Sequence, residues 1–136
     1  MGKPRILVCE DEESVRAAIR LVLERDYELS FAEDGEQALT QVTSHPVELI
    51  LLDIKLPKVD GLEILKTAMA QSPAPRVLML TAYQSAELAQ RAIQAGALDY
   101  VTKPFTREQL LRAVERALML QDWQRPGANA RSAPDA

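Results

Sequence analysis

Five side chains that could do chemistry follow short apolar runs of the sequence, at the point where each run ends. They are Glu10 and Asp11, Asp53, Thr81 and Lys103. Taken singly, each has an ordinary explanation, because acids suit the first turn of a helix, a threonine often caps one, and a lysine is usually solvated. Taken together, they are three carboxylates, a hydroxyl and an ammonium group. Their chemistry depends on whether the fold brings four distant segments to one place.

A cluster of this composition suits a metal ion and a phosphoryl group. Carboxylates held close together raise one another's pKa values unless a cation joins them, and hard oxygen ligands with room for water suit Mg²⁺. A carboxylate can attack phosphorus to form an aspartyl phosphate, and a metal ion, an ammonium group and a hydroxyl donor stabilise the developing charge. Asp53, Lys103 and Thr81 would supply the nucleophile, the ammonium group and the hydroxyl.

The hydrophobic pattern predicts five strands that alternate with five helices. Continuous apolar runs at residues 6–9, 49–52 and 77–80 are typical of strands buried on both faces. Weaker runs at residues 27–31 and 100–102 suit strands nearer an edge. The intervening segments carry apolar residues at helical spacing. Gly96 is predicted to end the fourth helix, and Thr106 to cap the start of the fifth.

This alternation predicts a doubly wound α/β fold. Right-handed crossovers make the five strands parallel and place helices on both faces of the sheet. Five (βα) units suit the flavodoxin-like strand order 2-1-3-4-5, in which strands 1, 3, 4 and 5 are neighbours. Open parallel sheets bind ligands beyond the carboxyl ends of their strands. The predicted fold therefore gathers the five side chains in one cleft.

Composition and charge argue against several other classes of protein. A chain of 136 residues, 47% of them hydrophobic, suits one domain. The net charge of −4 provides no basic footprint for nucleic acid or an anionic membrane. Cys9 is the only cysteine, which rules out an intrachain disulfide framework. No apolar stretch approaches the roughly 20 residues of a membrane span. We expect a soluble, cytoplasmic protein that binds neither nucleic acid nor membrane directly.

Four motifs, in order, resemble those of the receiver domains of two-component response regulators. They are ILVCEDE at 6–12, LLDIKLP at 51–57 followed by Asp60 and Gly61, LTA at 80–82, and DYVTKPF at 99–105. The resemblance assigns the receiver domain to residues 4–120. It implies a signalling switch that takes a phosphoryl group from a sensor histidine kinase or a histidine phosphotransfer protein, and whose own catalysis is limited to its phosphorylation and dephosphorylation.

The resemblance also implies a role for each residue of the cluster. Asp53 would be the phosphoacceptor and a metal ligand. Asp11 would bind Mg²⁺ directly, Glu10 would bind it through water, and the backbone carbonyl of Lys55 would be a further ligand. Lys103 would pair with Asp53 and later with the phosphoryl group. Glutamate replaces a frequent aspartate at position 10, and its extra methylene could alter the water bridge.

The resemblance also implies that further residues take part in the response to phosphorylation. Thr81 and Tyr100 resemble a switch pair that reshapes the surface of helix 4, strand 5 and helix 5. Lys55 and Tyr83 occupy positions that tune the lifetime of the acyl phosphate in similar domains. In the family the peptide bond before Pro104 is cis. Helix 5 lacks the full charge pattern of relatives that dimerise through this surface, so a phosphorylation-dependent homodimer stays open.

Two other functions fit the sequence less well. A Mg²⁺-dependent phosphohydrolase of the haloacid-dehalogenase kind would place a second aspartate two positions after the first, where this chain has Lys55. A flavin- or nucleotide-binding module would carry a glycine-rich loop after strand 1, where this chain has four acids that would repel phosphate.

Residues 121–136 differ in composition from the rest of the chain. This segment contains Pro126, Gly127, Asn129, Ser132 and Pro134, a composition that predicts a flexible tail or the start of a linker. The output would then be either a downstream protein that a stand-alone receiver contacts or an output domain that is missing from this sequence.

Overall fold

The computed structural model of the protein describes residues 2–82 and 86–119. Within them, five strands alternate with five helices, as the sequence predicts. The strands are β1 (Arg5–Cys9), β2 (Glu28–Ala32), β3 (Leu49–Asp53), β4 (Arg76–Ala82) and β5 (Asp99–Lys103). The helices are α1 (Glu13–Leu23), α2 (Gly35–Ser44), α3 (Gly61–Met69), α4 (Ala86–Gln94) and α5 (Arg107–Met119).

The strands form one parallel sheet in the order β2-β1-β3-β4-β5, which confirms the predicted fold. The register aligns the carboxyl ends of the four strands that matter for function. Cys9 lies opposite Leu52, Asp53 opposite Leu80, and Lys103 opposite Ala82. The residues that follow β1 and those that end β3, β4 and β5 therefore meet along one margin of the sheet, called here the carboxyl edge.

Alternation along each strand divides the apolar residues between two hydrophobic cores. Leu7 and Ile50 pack with α2, α3 and α4 on one face of the sheet. Ile6 and Leu51 pack with α1 and α5 on the other face. All five residues of β3 are buried, which is why this strand is continuously apolar until Asp53. The acid therefore terminates a strand that both cores hold in place.

Local capping interactions fix the ends of the two helices that flank β5. The backbone N–H of Gln109 donates to Thr106 Oγ1 at 3.1 Å, and the backbone N–H of Thr106 donates to Gln109 Oε1 at 2.9 Å. This reciprocal pair is a capping box at the start of α5. Gly96 follows α4 with φ of 124°, a conformation that favours glycine. Both predicted caps are confirmed.

Some expectations concern residues that the structure leaves undescribed. Tyr83 and the segment 121–136 lie outside the described residues, so the expected lifetime role of Tyr83 and the expected tail remain predictions. In the described part of the chain, none of the helices combines the length and the apolar character needed to cross a bilayer.

The thiol of Cys9 should be inert in the folded protein. Its side chain is fully buried in β1, and burial raises the pKa of the thiol far above its usual range. A thiol reagent such as DTNB cannot reach the sulfur atom, and the thiol is not ionised to the reactive thiolate. We expect labelling at mildly alkaline pH only at the rate of unfolding, and rapid labelling in denaturing urea. Fast labelling of the native protein would contradict the burial.

Candidate functional site

The carboxyl edge of the sheet contains a cavity of about 280 Å³. The ends of β3, β4 and β5 and the turn after β1 supply its walls. The lining residues are Asp11, Glu12, Asp53, Ile54, Lys55, Thr81, Ala82 and Lys103. The structure therefore brings together side chains from four segments of the chain, as the predicted strand order requires.

Asp53 occupies the last position of β3, and its side chain is only 8% exposed. Each carboxylate oxygen accepts a hydrogen bond. The backbone N–H of Lys55 donates to Oδ1 at 2.9 Å, and Lys103 Nζ donates to Oδ2 at 3.0 Å. These two contacts fix the orientation of the carboxylate at the cavity wall.

Lys103 ends β5 and lies between acids from two other segments. Its Nζ is 3.0 Å from Asp53 Oδ2, 3.0 Å from Glu10 Oε1 and 3.7 Å from Glu12 Oε1. Partial burial by itself would lower the pKa of the ammonium group, but the hydrogen bonds and charges of Glu10 and Asp53 outweigh it. The pKa of Lys103 is therefore raised, and the side chain is a cation at neutral pH.

Glu10 is fully buried directly after β1. Its Oε1 accepts from Lys103 Nζ at 3.0 Å, and its Oε2 accepts from the backbone N–H of Glu12 at 3.0 Å. Burial is the largest influence and raises the pKa of this carboxyl group, and the charge of Asp53 adds to the effect. The two hydrogen bonds oppose it. The site thus contains an acid whose charge is costly without a nearby cation.

Three carboxylates in this cluster are arranged as a candidate cation site. Glu10, Asp11 and Asp53 each offer an oxygen atom, and these atoms lie within 4.8 Å of one another. Asp11 is exposed, whereas the other two acids are buried. Hard carboxylate donors with one side open to solvent fit Mg²⁺, which keeps part of its water shell. Lys55 lines the same cavity.

The two expected switch residues occupy different environments. Thr81 is 2% exposed and lines the cavity, with its hydroxyl 3.1 Å from the carbonyl oxygen of Ala82. Tyr100 lies opposite Met79 on the edge strand β5, is 43% exposed and does not line the cavity. The peptide bond between Lys103 and Pro104 is cis, as the resemblance implies.

Arg16 is a contact of the site that the sequence analysis missed. Its Nη1 donates to the backbone carbonyl of Glu10 at 2.9 Å, and its Nη2 lies 3.8 Å from Glu33 Oε2. The guanidinium group therefore connects the turn after β1 to the segment after β2. A usable signal existed, because a cation near the N-terminus of a helix is disfavoured by the helix dipole and needs an acceptor nearby.

The family of the chain follows from comparison with known sequences. The sequence model of the response regulator receiver domain matches residues 6–115. The chain therefore belongs to the receiver domains of response regulators. Receiver domains are signalling switches and bind Mg²⁺ at an acidic pocket. The cluster of Glu10, Asp11 and Asp53 is such an acidic group at the carboxyl edge.

Individual proteins show the same similarity. The transcriptional regulatory protein ZraR of Salmonella typhimurium is 37% identical over 118 residues, which are 86% of this chain and 27% of that regulator. Sporulation initiation phosphotransferase F of Bacillus subtilis is 34% identical over 122 residues, which are 89% of this chain and 98% of that protein. The structure of the chemotaxis response regulator CheY4 of Vibrio cholerae matches this structure with a TM-score of 0.79 and 31% sequence identity. The match covers 86% of this chain and 100% of the CheY4 chain. The chain spans about a quarter of the longer regulators that it matches.

Replacement of Asp11 by asparagine should separate cation binding from folding. Without Mg²⁺, Asp11→Asn should raise the free energy of unfolding by about 1 kcal/mol or less, because one of three neighbouring negative charges is removed. The stabilisation that Mg²⁺ gives to the wild type should be largely lost, because a ligand is missing. Thermal unfolding with Mg²⁺ and with EDTA measures both effects. Glu13→Gln, which lies outside the cluster, should keep the full Mg²⁺ shift, and an equal shift in Asp11→Asn would argue against this site.

Proposed function

We propose that the domain, assigned to residues 4–120, accepts a phosphoryl group on Asp53 in a Mg²⁺-dependent reaction. The donor would be a sensor histidine kinase or a histidine phosphotransfer protein. The observation that carries this proposal is the placement of the Asp53 carboxylate. It lies at the wall of an open cavity, 3.0 Å from the Lys103 ammonium group and beside the acidic cluster.

Each side chain has a defined task in the proposed transfer. An oxygen of Asp53 attacks phosphorus, the new P–O bond forms, and the P–N bond to the donor histidine breaks, so that the imidazole leaves. Lys103 then exchanges its contact with the carboxylate for a contact with the phosphoryl oxygens. The Thr81 hydroxyl donates to one of these oxygens. When held by Glu10, Asp11, Asp53 and the carbonyl of Lys55, Mg²⁺ would neutralise charge on the phosphoryl group.

The proposed chemistry is that of a switch rather than of an enzyme with a separate substrate. Two positions after Asp53 stands Lys55, whose backbone N–H already donates to Asp53 Oδ1. Its side chain is exposed and is no general acid for the turnover of phosphate esters. We therefore propose that catalysis is limited to phosphorylation and dephosphorylation of the domain itself, with Lys55 and Tyr83 tuning the lifetime of the acyl phosphate.

Incubation with acetyl phosphate and Mg²⁺ tests the phosphoacceptor directly. We expect intact mass to increase by one phosphoryl group, and we expect EDTA to abolish the increase. Asp53→Asn should show no increase, because the amide is a poor nucleophile. The matched control is Asp60→Asn in the same loop, which keeps a side-chain oxygen to cap α3. Equal phosphorylation of Asp53→Asn and the wild type would overturn the assignment.

We further propose that phosphorylation is read at the surface formed by α4, β5 and α5. Thr81 lies at the cavity, and Tyr100 lies on the neighbouring strand with its ring partly in solvent. Ile93 of α4 is also exposed, at 37%, so this surface already presents apolar side chains. Movement of Thr81 toward the phosphoryl group would leave space that Tyr100 enters, which favours one of two conformations. The output partner, a downstream protein or an output domain, would bind this surface.

The environment of Tyr100 should change on phosphorylation. In protein labelled with 3-fluorotyrosine, the variant Tyr100→Phe identifies the fluorine resonance of Tyr100, because that resonance is missing from its spectrum. When acetyl phosphate and Mg²⁺ are added to the wild type, this resonance should become shielded from a soluble paramagnetic agent. Thr81→Ala, compared at equal phosphorylation, should leave the ring accessible, because the hydroxyl that follows the phosphoryl group is missing. Asp53→Asn is the negative control. Unchanged accessibility in fully phosphorylated wild-type protein would contradict the proposed readout.

A further inference from the structure

The loop at residues 54–60, which follows Asp53, is fastened to the N-terminus of α2. The backbone N–H of Gly35 donates to the carbonyl oxygen of Pro57 at 2.8 Å. Lys58 Nζ lies 3.3 Å from Asp34 Oδ2 and 3.5 Å from Glu36 Oε1. One residue of the loop therefore forms two ion pairs with a different segment of the fold, next to a hydrogen bond between the two backbones. These contacts of Pro57 and Lys58 with residues 34–36 are called here the loop latch.

The two backbones at the latch approach so closely that only glycine fits. A Cβ atom added to Gly35 would lie 2.8 Å from the backbone nitrogen of Val59. The other end of the loop is similarly confined, because a Cβ atom on Gly61 would lie 2.6 Å from the carbonyl oxygen of Ile54. The loop is thus held at both ends by close backbone contacts, and its conformation depends on where α2 begins.

Lys58 has an unusual backbone conformation for a residue with a side chain. Its φ of 79° lies in the left-handed region, and it is the one non-glycine residue in the described ranges with a positive φ. Such strain persists where the surroundings impose it and is associated with functional positions. The neighbouring Asp34 and Glu36 stabilise the charge of Lys58 and raise the pKa of its ammonium group. The ion pairs of the lysine side chain offset the cost of a backbone conformation that glycine would adopt more easily.

The same loop supplies two groups to the site. The backbone N–H of Lys55 holds Asp53 Oδ1, and Lys55 lines the cavity with its carbonyl as the proposed metal ligand. Only Leu56 separates Lys55 from Pro57, the first residue of the latch, and Leu56 is buried at 7% exposure. Proline has a fixed φ, and a buried leucine is held by packing. A displacement at Lys58 would therefore be transmitted to Lys55 with little loss.

We propose that Lys58 is a positioning residue, which acts through Asp34 and Glu36 to hold the Lys55 backbone in the geometry that binds Mg²⁺ and accepts the phosphoryl group. This inference rests on the proposed function of the site. It adds that the N-terminus of α2, which supplies no residue to the cavity, influences cation affinity from outside. Because Lys58 and Glu36 are exposed to solvent, the influence should weaken as ionic strength rises.

Magnesium affinity of the unphosphorylated full chain tests the proposal. Titration with Mg²⁺, followed by the amide resonance of Lys55 in NMR, gives the dissociation constant. Lys58→Glu places like charges together and should weaken Mg²⁺ binding about tenfold, which is within the range known for residues that support metal ligands. The double variant Lys58→Glu with Glu36→Lys restores an attractive pair and should recover part of the affinity.

Two further variants separate positioning from general effects. Lys66→Glu on the exposed side of α3 makes the same change in net charge outside the latch and should bind Mg²⁺ like the wild type. Lys58→Gly relieves the backbone strain but removes the ion pairs. It should therefore be at least as stable to thermal unfolding as the wild type and still bind Mg²⁺ about threefold more weakly. A purely structural role would not separate stability from affinity in this way.

The outcomes distinguish this inference from the proposed function. If the wild type binds Mg²⁺ and is phosphorylated, but Lys58→Glu matches Lys66→Glu in affinity, the positioning role is wrong and the proposed function stands. If the wild type neither binds Mg²⁺ nor accepts a phosphoryl group, the proposed function fails first. Loss of affinity in Lys58→Glu and Lys58→Gly, with recovery in the double variant, supports the latch.

Discussion

The contact of one ammonium group with two buried acids is the interaction on which the site depends. Lys103 joins Glu10, 93 residues away, and Asp53, 50 residues away, and so connects the ends of β1, β3 and β5. Without this cation, two carboxylates would be buried side by side at a high electrostatic cost. With it, the two acids can lie close together, as a cation site requires. The strand order serves this contact, because it brings the carboxyl ends of β1, β3 and β5 to the same side of the sheet, with β4 between β3 and β5.

The strands, their order and the side chains of the cavity could be predicted because they depend on strong and regular signals. Continuous apolar runs marked β1, β3 and β4, and handedness then constrained the order. Asp53 and Lys103 end their strands and Thr81 is the last residue but one of β4, so their convergence followed from topology alone. The edge position of β5 was also predictable from its short apolar run, and its Tyr100 is indeed partly exposed.

The supporting contacts were not predictable in the same way. The helix dipole indicates that Arg16 needs an acceptor, but no pattern of side-chain types identifies that acceptor as the backbone carbonyl of Glu10. Lys58 meets Asp34 because a loop adopts a left-handed conformation at that residue, and a lysine gives no sign of a positive φ. Both contacts depend on the paths of loops between elements, which hydrophobic periodicity does not encode. The polar side chains that line the cavity are thus readable from the sequence, whereas the contacts around them become clear only in three dimensions.

The two separate hydrophobic cores have a consequence for how such a domain can diversify. One core contains α1 and α5, the other contains α2, α3 and α4, and the sheet lies between them. Away from Arg16 and the loop latch, the outward faces of either helical layer can change in sequence without contact with the opposite layer or with the strand ends. Recognition of partners and the acid chemistry can therefore evolve as separate traits. A duplicated copy could acquire a new partner through helix-surface substitutions while its strand termini stay unchanged.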